Sequence, residues 1–380
     1  MSAKPRLCIL ALSFGDGGVE RSIVNLIRGL SEIGVGVDLI LGRRESPYVA
    51  EADAVARVSV LGGTSTLRVL PWMVAYLRRE RPDVLLCAKE PASRPLLWAL
   101  LLAARRLLGL RVRVVFRTAT TISAQLERRN PLVRAVFVWR VRRLYRAADG
   151  VIAISRGVAE DLACITRLPA SSIPVAPNPV VTPELGARAD EPAGHPWLDG
   201  KDRPVVLGVG RLARTKDFPT LVRAFARVRA RRPARLVILG DGRQRRRLER
   251  LVSELGLEDD VSMPGFTANP YPAMARADVV ALTSLREGFG NVLAEALAVG
   301  TPVVATDCPS GPREILAGGR YGRLVPVGDA GALAEALMQT LDETPDRERL
   351  RASAERFTVR HSAQRYAEIL GLAPAGLAHD

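Results

Sequence analysis

Two glutamates and two cations carry the chemistry that this sequence can do. Glu287 and Glu295 stand in the segment Thr283-Ser284-Leu285-Arg286-Glu287-Gly288-Phe289-Gly290-Asn291-Val292-Leu293-Ala294-Glu295, with seven residues between them. The glycines around Glu287 require a loop, and the run from Asn291 reads as a helix that Gly300 ends and Pro302 follows, so Glu295 falls about one turn inside it. One carboxylate at a helix mouth and another in its first turns can grip two parts of one polyol, because carboxylates accept hydrogen bonds from vicinal hydroxyls. The first amides of that helix, at Gly290 to Val292, favour an anion beside them. Upstream, Gly210-Arg211-Leu212-Ala213-Arg214-Thr215-Lys216-Asp217 separates an apolar run from a helix with Leu221, Phe225 and Val228 on one face. Asp217 is placed to cap that helix, with Pro219 in its first turn. Arg211 and Lys216 then stand at a strand end beside a helix N-terminus, where a diphosphate binds well. Each loop alone could be a solvated turn, and a lone helical Glu is usually a surface residue; the loop, helix and strand positions together favour a site.

Such loops act only if strands hold them in line, since ligands of open parallel sheets bind outside the strands' carboxyl ends. Arg6 to Leu12, Val35 to Leu41, Val84 to Cys87 and Val112 to Phe116 read as strands, with helices at Glu20 to Leu30 and Leu96 to Leu108. Pro183, Gly186, Pro192, Gly194, Pro196 and Gly200 then punctuate a polar stretch and mark an interdomain linker. A second cycle runs through Val205 to Val209, Leu236 to Leu239, Val279 to Leu282 and Pro302 to Ala305. The expected fold class is α/β, with two facing Rossmann-like, doubly wound parallel-sheet domains. Residues 1–185 form the first, 186–203 the linker and 204–355 the second, leaving a C-terminal helical segment at 356–380. The 380 residues exceed one ordinary core, and 48% hydrophobic content needs neither disulfides nor metals to fold. Cys8, Cys87, Cys164 and Cys308 have no paired spacing and read as small core residues of a reducing cytosol. After each second-domain strand come further candidates: Gly240-Asp241-Gly242, a turn that lets backbone approach a ligand, and Pro264-Gly265-Phe266, able to offer a ring to a base or simply to bury it.

In their order along the chain these residues resemble the retaining glycosyltransferases of family 4, whose hallmark is Glu, seven residues, Glu. Gly17-Gly18-Val19-Glu20-Arg21 resembles the family's N-terminal glycine loop, Ala153-Ile154-Ser155 to Leu162 its late first-domain strand and helix, and Pro177-Asn178-Pro179-Val180 its interdomain turn. Gly208 to Lys216, Gly240-Asp241-Gly242 and the Glu287 segment follow in the family's order. The resemblance implies a GT-B architecture, with the last helix crossing back to the first domain. It assigns Arg211, Lys216 and Glu287 to catalysis, the first two on the donor diphosphate and the third on the sugar hydroxyls. Glu295 would take the ribose, Gly210, Gly288, Phe289, Gly290, Asn291 and Val292 would line the donor, and Gly265 and Phe266 would border its base. Gly17 and Gly18 would bring the first domain close to the reacting centre. It implies a hexosyl or N-acetylhexosaminyl transfer from a UDP-sugar, with retention, in cell-surface glycan assembly such as lipopolysaccharide. No cofactor or metal is expected, the nucleotide sugar being a co-substrate. Charge that builds on a departing diphosphate suits Arg211, Lys216 and a helix N-terminus, and His195, His361 and His379 form no metal cluster. Many relatives carry a first-domain histidine; here the matching strand end is Phe116-Arg117-Thr118-Ala119-Thr120, so Arg117 is a candidate for an anionic acceptor or an ordinary strand-end arginine.

The net charge of +15 points to anionic partners, although its arginine excess can equally mark a GC-rich genome. Leu96 to Arg113 and Arg128 to Arg146 mix apolar and basic residues, as a packed helix with a solvated basic face does, and as a helix lying on anionic lipid does. The expected partners are a nucleotide sugar, a glycan or lipid-linked acceptor and an anionic membrane surface, from a cytoplasmic location on the inner face of the plasma membrane. No signal peptide opens the chain, and the longest apolar run, Leu96 to Ala104, is too short to span a bilayer. An NAD(P)-dependent oxidoreductase is the first alternative, yet Gly15-Asp16-Gly17-Gly18 lacks the dinucleotide spacing and Leu41-Gly42-Arg43-Arg44 lacks the acidic ribose partner. A nucleic-acid-binding protein is the second, although aromatics are 5% of residues and none interleave with glycines. A non-catalytic sugar-binding homologue would have less use for both glutamates and both cations.

Overall fold

Short runs of Val, Ile and Leu without polar alternation make strands buried on both faces, which a parallel sheet under helices provides. The computed structural model describes residues 4–15, 17–89, 91–123, 126 and 130–373; Asp16, Arg128 and His379 lie outside them. Two units are present, Met1–Pro179 with Val359–Asp380, and Val180–Thr358.

The first unit runs β1 (Arg6–Ala11), α1 (Gly18–Glu32), β2 (Gly36–Leu41), α2 (Val49–Asp53), β3 (Arg57–Val60), α3 (Thr66–Glu80), β4 (Val84–Cys87), α4 (Pro95–Leu107), β5 (Arg113–Thr118), α5 (Pro131–Ala147), β6 (Gly150–Ala153) and α6 (Arg156–Thr166). Its strands pair in parallel in the order β3-β2-β1-β4-β5-β6. The second unit opens with α7 (Leu185–Asp190) and α8 (Pro196–Asp199). It continues with β7 (Val205–Val209), α9 (Phe218–Arg229), β8 (Arg235–Leu239), α10 (Arg245–Glu254), β9 (Val261–Gly265), α11 (Tyr271–Arg276), β10 (Val279–Leu282) and α12 (Asn291–Ala298). β11 (Val303–Thr306), α13 (Pro312–Ile315), β12 (Arg323–Val325), α14 (Ala330–Asp342) and α15 (Arg347–Ala354) complete it, in the parallel order β12-β11-β10-β7-β8-β9. Counted from its own first strand, each sheet has the order 3-2-1-4-5-6, so the direction of winding reverses between β1 and β4 and again between β7 and β10. Ligands of doubly wound sheets bind at that reversal.

The last helix, α16 (Val359–Leu370), packs in the first unit, where Ala363, Tyr366 and Leu370 join Ile23, Ile27 and Leu30 of α1 in one core. The polar stretch 186–203 is more ordered than a linker. It carries α7 and α8, and Arg276 and Asn269 bond the carbonyls of Ala189 and Arg188. Cys8, Cys87 and Cys308 are buried, whereas Cys164 is exposed on α6 and is no core residue. No helix among the described residues is long and apolar enough to cross a membrane.

Gly311 has φ +81°, and a Cβ there would lie 1.8 Å from the Phe289 carbonyl oxygen, in the loop that carries Glu287. Gly311→Ala should therefore cost more than about 2 kcal/mol of stability. Gly186→Ala, in helical backbone with nothing within 4 Å of the added carbon, should be neutral or stabilising by up to about 1 kcal/mol. Urea unfolding of the two variants checks the contrast.

Candidate functional site

The loops after β7 and β10 leave neighbouring strands at the reversal of the second sheet, and one main-chain and one side-chain hydrogen bond zip them together. The Leu285 amide donates to the Thr215 carbonyl at 2.9 Å, and the Thr283 hydroxyl donates to the Lys216 carbonyl at 2.9 Å. That seam sets Lys216 against Glu287. The Lys216 Nζ donates to Glu287 Oε1 at 2.5 Å, and the Ser284 hydroxyl donates to the same oxygen at 2.6 Å. Both side chains are partly shielded, at 27% and 12% exposure. A carboxylate with one oxygen so occupied keeps lone pairs for hydroxyls, and the ammonium keeps N–H donors for an anion. Cys308 lies beside the pair, but burial first and the Glu287 charge second push its thiol up to about 12. It remains a neutral thiol rather than a nucleophile.

Arg211 is exposed in the same loop as Lys216, and that loop is held by its neighbours along the sheet edge. The Gly210 amide donates to the Leu239 carbonyl, the Leu212 amide to the Asp241 carbonyl, and the Gly240 amide to the Gly265 carbonyl. Gly240 has φ +138°, and a Cβ on it would lie 2.1 Å from the Gly210 oxygen; one on Gly242 would lie 2.6 Å from the Leu212 oxygen. The Gly240-Asp241-Gly242 turn is thus tight because another loop packs on it, where the sequence suggested close approach to a ligand. Gly265 follows at φ +105°, and Phe266 is 70% exposed, so the ring is not a buried turn residue. Asp217 holds the N-cap position of α9, but in left-handed backbone at φ +45°. Its carboxylate accepts from the Thr220 hydroxyl at 2.6 Å and caps no main-chain amide.

Gly290 precedes α12 with φ +100°, which turns the chain into the helix directly after Glu287-Gly288-Phe289. Phe289 and Gly290 are buried, while Gly288, Asn291, Val292 and Glu295 are partly exposed. Lys216 and Glu287 are therefore in contact, Arg211 shares the first of their two loops, and Glu295 sits on the helix that the second loop starts.

The first unit repeats the arrangement at its own reversal. Gly17 precedes α1 and Gly18 begins it; Glu20 in the first turn is 5% exposed and accepts from the Gly15 amide at 3.0 Å. Lys89, just past β4, donates to Glu20 and to the Ser13 carbonyl. Burial works against ionising Glu20, but the bonds from Lys89 and Gly15 outweigh it and hold the carboxyl below its usual range. Nothing in the sequence singled out Lys89, which follows an unremarkable strand; only the strand order brings β4 beside β1. Arg117 requires a correction, being 1% exposed and so unable to meet an acceptor. Its Nε donates to the Tyr366 hydroxyl at 2.8 Å, Nη1 to the Ala88 carbonyl at 3.1 Å, and Nη2 to Asn178 Oδ1 at 2.8 Å. Helix α16, hundreds of residues downstream, covers that face of β5, and neutral acceptors satisfy the buried guanidinium. Among the described residues no cluster of His, Cys, Asp and Glu could hold a metal ion.

The family model for glycosyl transferases group 1 matches residues 195–357, and that for Glycosyltransferase Family 4 matches residues 16–184. The chain is 33% identical over 347 residues to the N-acetylgalactosamine-N,N'-diacetylbacillosaminyl-diphospho-undecaprenol 4-alpha-N-acetylgalactosaminyltransferase of Campylobacter jejuni, covering 89% of this chain and 90% of that one. The chain belongs to the glycosyltransferases. This glycosyltransferase is also 31% identical over 342 residues to the lipopolysaccharide core biosynthesis glycosyltransferase LpsE of Rhizobium meliloti, covering 88% of each. Its GT-B fold is shared with Anabaena Alr3699/HepE, solved in complex with UDP, at a TM-score of 0.77 and 22% identity over 96% of this chain and 99% of that one. Family membership displaces the oxidoreductase and nucleic-acid alternatives.

Because the Glu20 carboxyl is held low, its contribution to stability is full above the carboxyl's unfolded pKa and disappears as pH falls through the folded one. Glu20→Gln should lose about 2 kcal/mol at neutral pH. The gap between variant and wild type should close in acid, as urea titrations across pH 3 to 7 would reveal; a gap independent of pH would remove the charge from the explanation.

Proposed function

We propose that this glycosyltransferase moves a hexose or N-acetylhexosamine from a UDP-sugar, with retention and without a metal, to a glycan or lipid-linked acceptor of a cell-surface polysaccharide. The observation that carries the reading is the Lys216–Glu287 contact at the reversal of the second sheet. A phosphorylated sugar presents an anion and a set of hydroxyls a few ångströms apart, and an ammonium beside a carboxylate complements both. As the glycosyl–phosphate bond breaks, charge grows on the departing diphosphate. Lys216, Arg211 and the first amides of α12 stabilise it there, so a metal ion is not needed and no cofactor enters. Glu295 takes the ribose hydroxyls from within α12, and exposed Phe266 with Gly265 borders the base. Retention follows from the resemblance carried by Glu287 and Glu295. The named activities of the Campylobacter and Rhizobium relatives support a lipid-linked or lipopolysaccharide acceptor, and the UDP in the Anabaena protein supports the nucleotide. Such an acceptor puts the enzyme on the inner face of the plasma membrane, with its first unit left to read the acceptor.

Glu295→Ala should weaken UDP binding about tenfold or more by calorimetry. Glu287→Gln should leave UDP affinity within about twofold and lower kcat about a hundredfold, because the lost bond strengthens only as the sugar departs. Unchanged UDP affinity in the first variant would contradict the ribose assignment, and unchanged turnover in the second the sugar assignment. Product NMR showing an inverted anomeric centre would contradict retention.

A further inference from the structure

Helices α4 and α5 of the first unit carry apolar side chains on the face that a soluble helix leaves polar. The inward faces hold Leu97, Trp98, Leu101 and Leu102 on α4, and Val141, Leu144 and Tyr145 on α5. On the outer face of α4, Leu96, Leu100 and Leu107 are 63%, 39% and 85% exposed, and their spacing puts them within a stripe about 40° wide. On α5, Leu132, Val136 and Trp139 are 81%, 49% and 56% exposed and form a similar stripe, with Arg143 at its end and its guanidinium over the Trp139 ring at 5.2 Å. Core packing explains the inward stripes only.

Charge is distributed as one-sidedly. Residues 94–113 and 130–147 hold ten arginines and no Asp or Glu. Some are used internally: Arg105 pairs with Asp149, and Arg142 donates to the Ile165 carbonyl. Arg106, Arg111, Arg134 and Arg140 are exposed and pair with no carboxylate among the described residues. The segment that follows α4 helps to line a cavity of about 580 Å³, bounded by Leu77, Leu108 and Leu110 together with Arg78, Arg81 and Arg111. It lies where α3 ends and β5 begins, at the strands' amino edge, away from the loops of Gly17, Glu20 and Lys89.

We infer that the α4–α5 face docks on an anionic lipid bilayer, with Leu107, Leu132 and Trp139 entering the headgroup boundary and the Arg78/Arg81/Arg111 cavity receiving a lipid phosphate. The inference rests on the membrane location proposed above and names the face that serves it. Apolar side chains interleaved with unpaired arginines are complementary to a surface that offers both hydrocarbon and negative charge. A second copy of the chain fits poorly, since a two-fold contact through this face would set arginines against arginines.

The full-length chain should co-sediment with vesicles of phosphatidylglycerol and phosphatidylethanolamine at low salt, and release as salt rises. Neutral phosphatidylcholine vesicles should retain little. Brominated lipid should quench the fluorescence of wild type more than that of Trp139→Phe. Arg106→Glu with Arg140→Glu should lower vesicle affinity about tenfold or more, and Arg78→Gln with Arg81→Gln should reduce the preference for anionic lipid. All variants should keep the wild-type thermal shift with UDP, which reports the second unit and separates failure of docking from failure of the donor assignment. Equal binding to neutral and anionic vesicles, no binding by wild type, or charge reversals that abolish self-association while vesicle binding persists would each overturn the inference.

Discussion

The ion pair between Lys216 and Glu287 is the interaction on which the chemistry of the second unit depends. It joins the loop after the first strand of the sheet to the loop after the fourth, at the one place where the winding reverses and two adjacent helices diverge. A partly shielded pair of this kind contributes little net stability, because removing both charges from water offsets most of their attraction. Its presence is better understood through what it prepares. Neither charge must be gathered or reoriented when a ligand carrying both an anion and hydroxyls arrives, and charge fixed in advance is usually what lowers a barrier most in an enzyme site. Ser284 completes the arrangement by holding the same carboxylate oxygen, and Thr306 in turn holds the Ser284 carbonyl at 2.7 Å.

The same principle recurs in the first unit with the polarity of the elements exchanged. There the carboxylate, Glu20, comes from the helix after the first strand and the ammonium, Lys89, from the end of the fourth. Each unit thus bridges its winding reversal with one Lys–Glu pair. The glycines serve these bridges by letting loops touch. Gly240 and Gly242 admit the loop of Arg211, and Gly311 admits the loop of Glu287, at distances where any side chain would collide with a carbonyl.

Much of this was legible in the sequence, because strands of a buried parallel sheet are short apolar runs and the polar residues that follow them are set by period. The positions of Glu287, Glu295, Arg211 and Lys216 relative to their strands and helices follow from that alone. What was not legible depends on contacts between distant segments. Arg117 looks like a strand-end cation until α16 is seen to cover it, and Lys89 looks ordinary until β4 is seen beside β1. Residues 186–203 read as a linker because short helices such as α7 and α8 are too brief to show a period. The sequence marked the stretches of α4 and α5 as apolar and basic but left a packed helix and a lipid-facing one equally open, for a related reason. A helix that is apolar on two sides gives the same composition as a core helix, and only exposure distinguishes them.

The most direct test of the central claim is a double-mutant cycle on sugar transfer with Lys216→Met and Glu287→Gln, alone and combined. If the two groups act as one preorganised unit while the sugar departs, losing either forfeits the rate gain of the pair, and the double variant should lose little more activity than the worse single variant. Losses that multiply, as for two groups working independently, would contradict it.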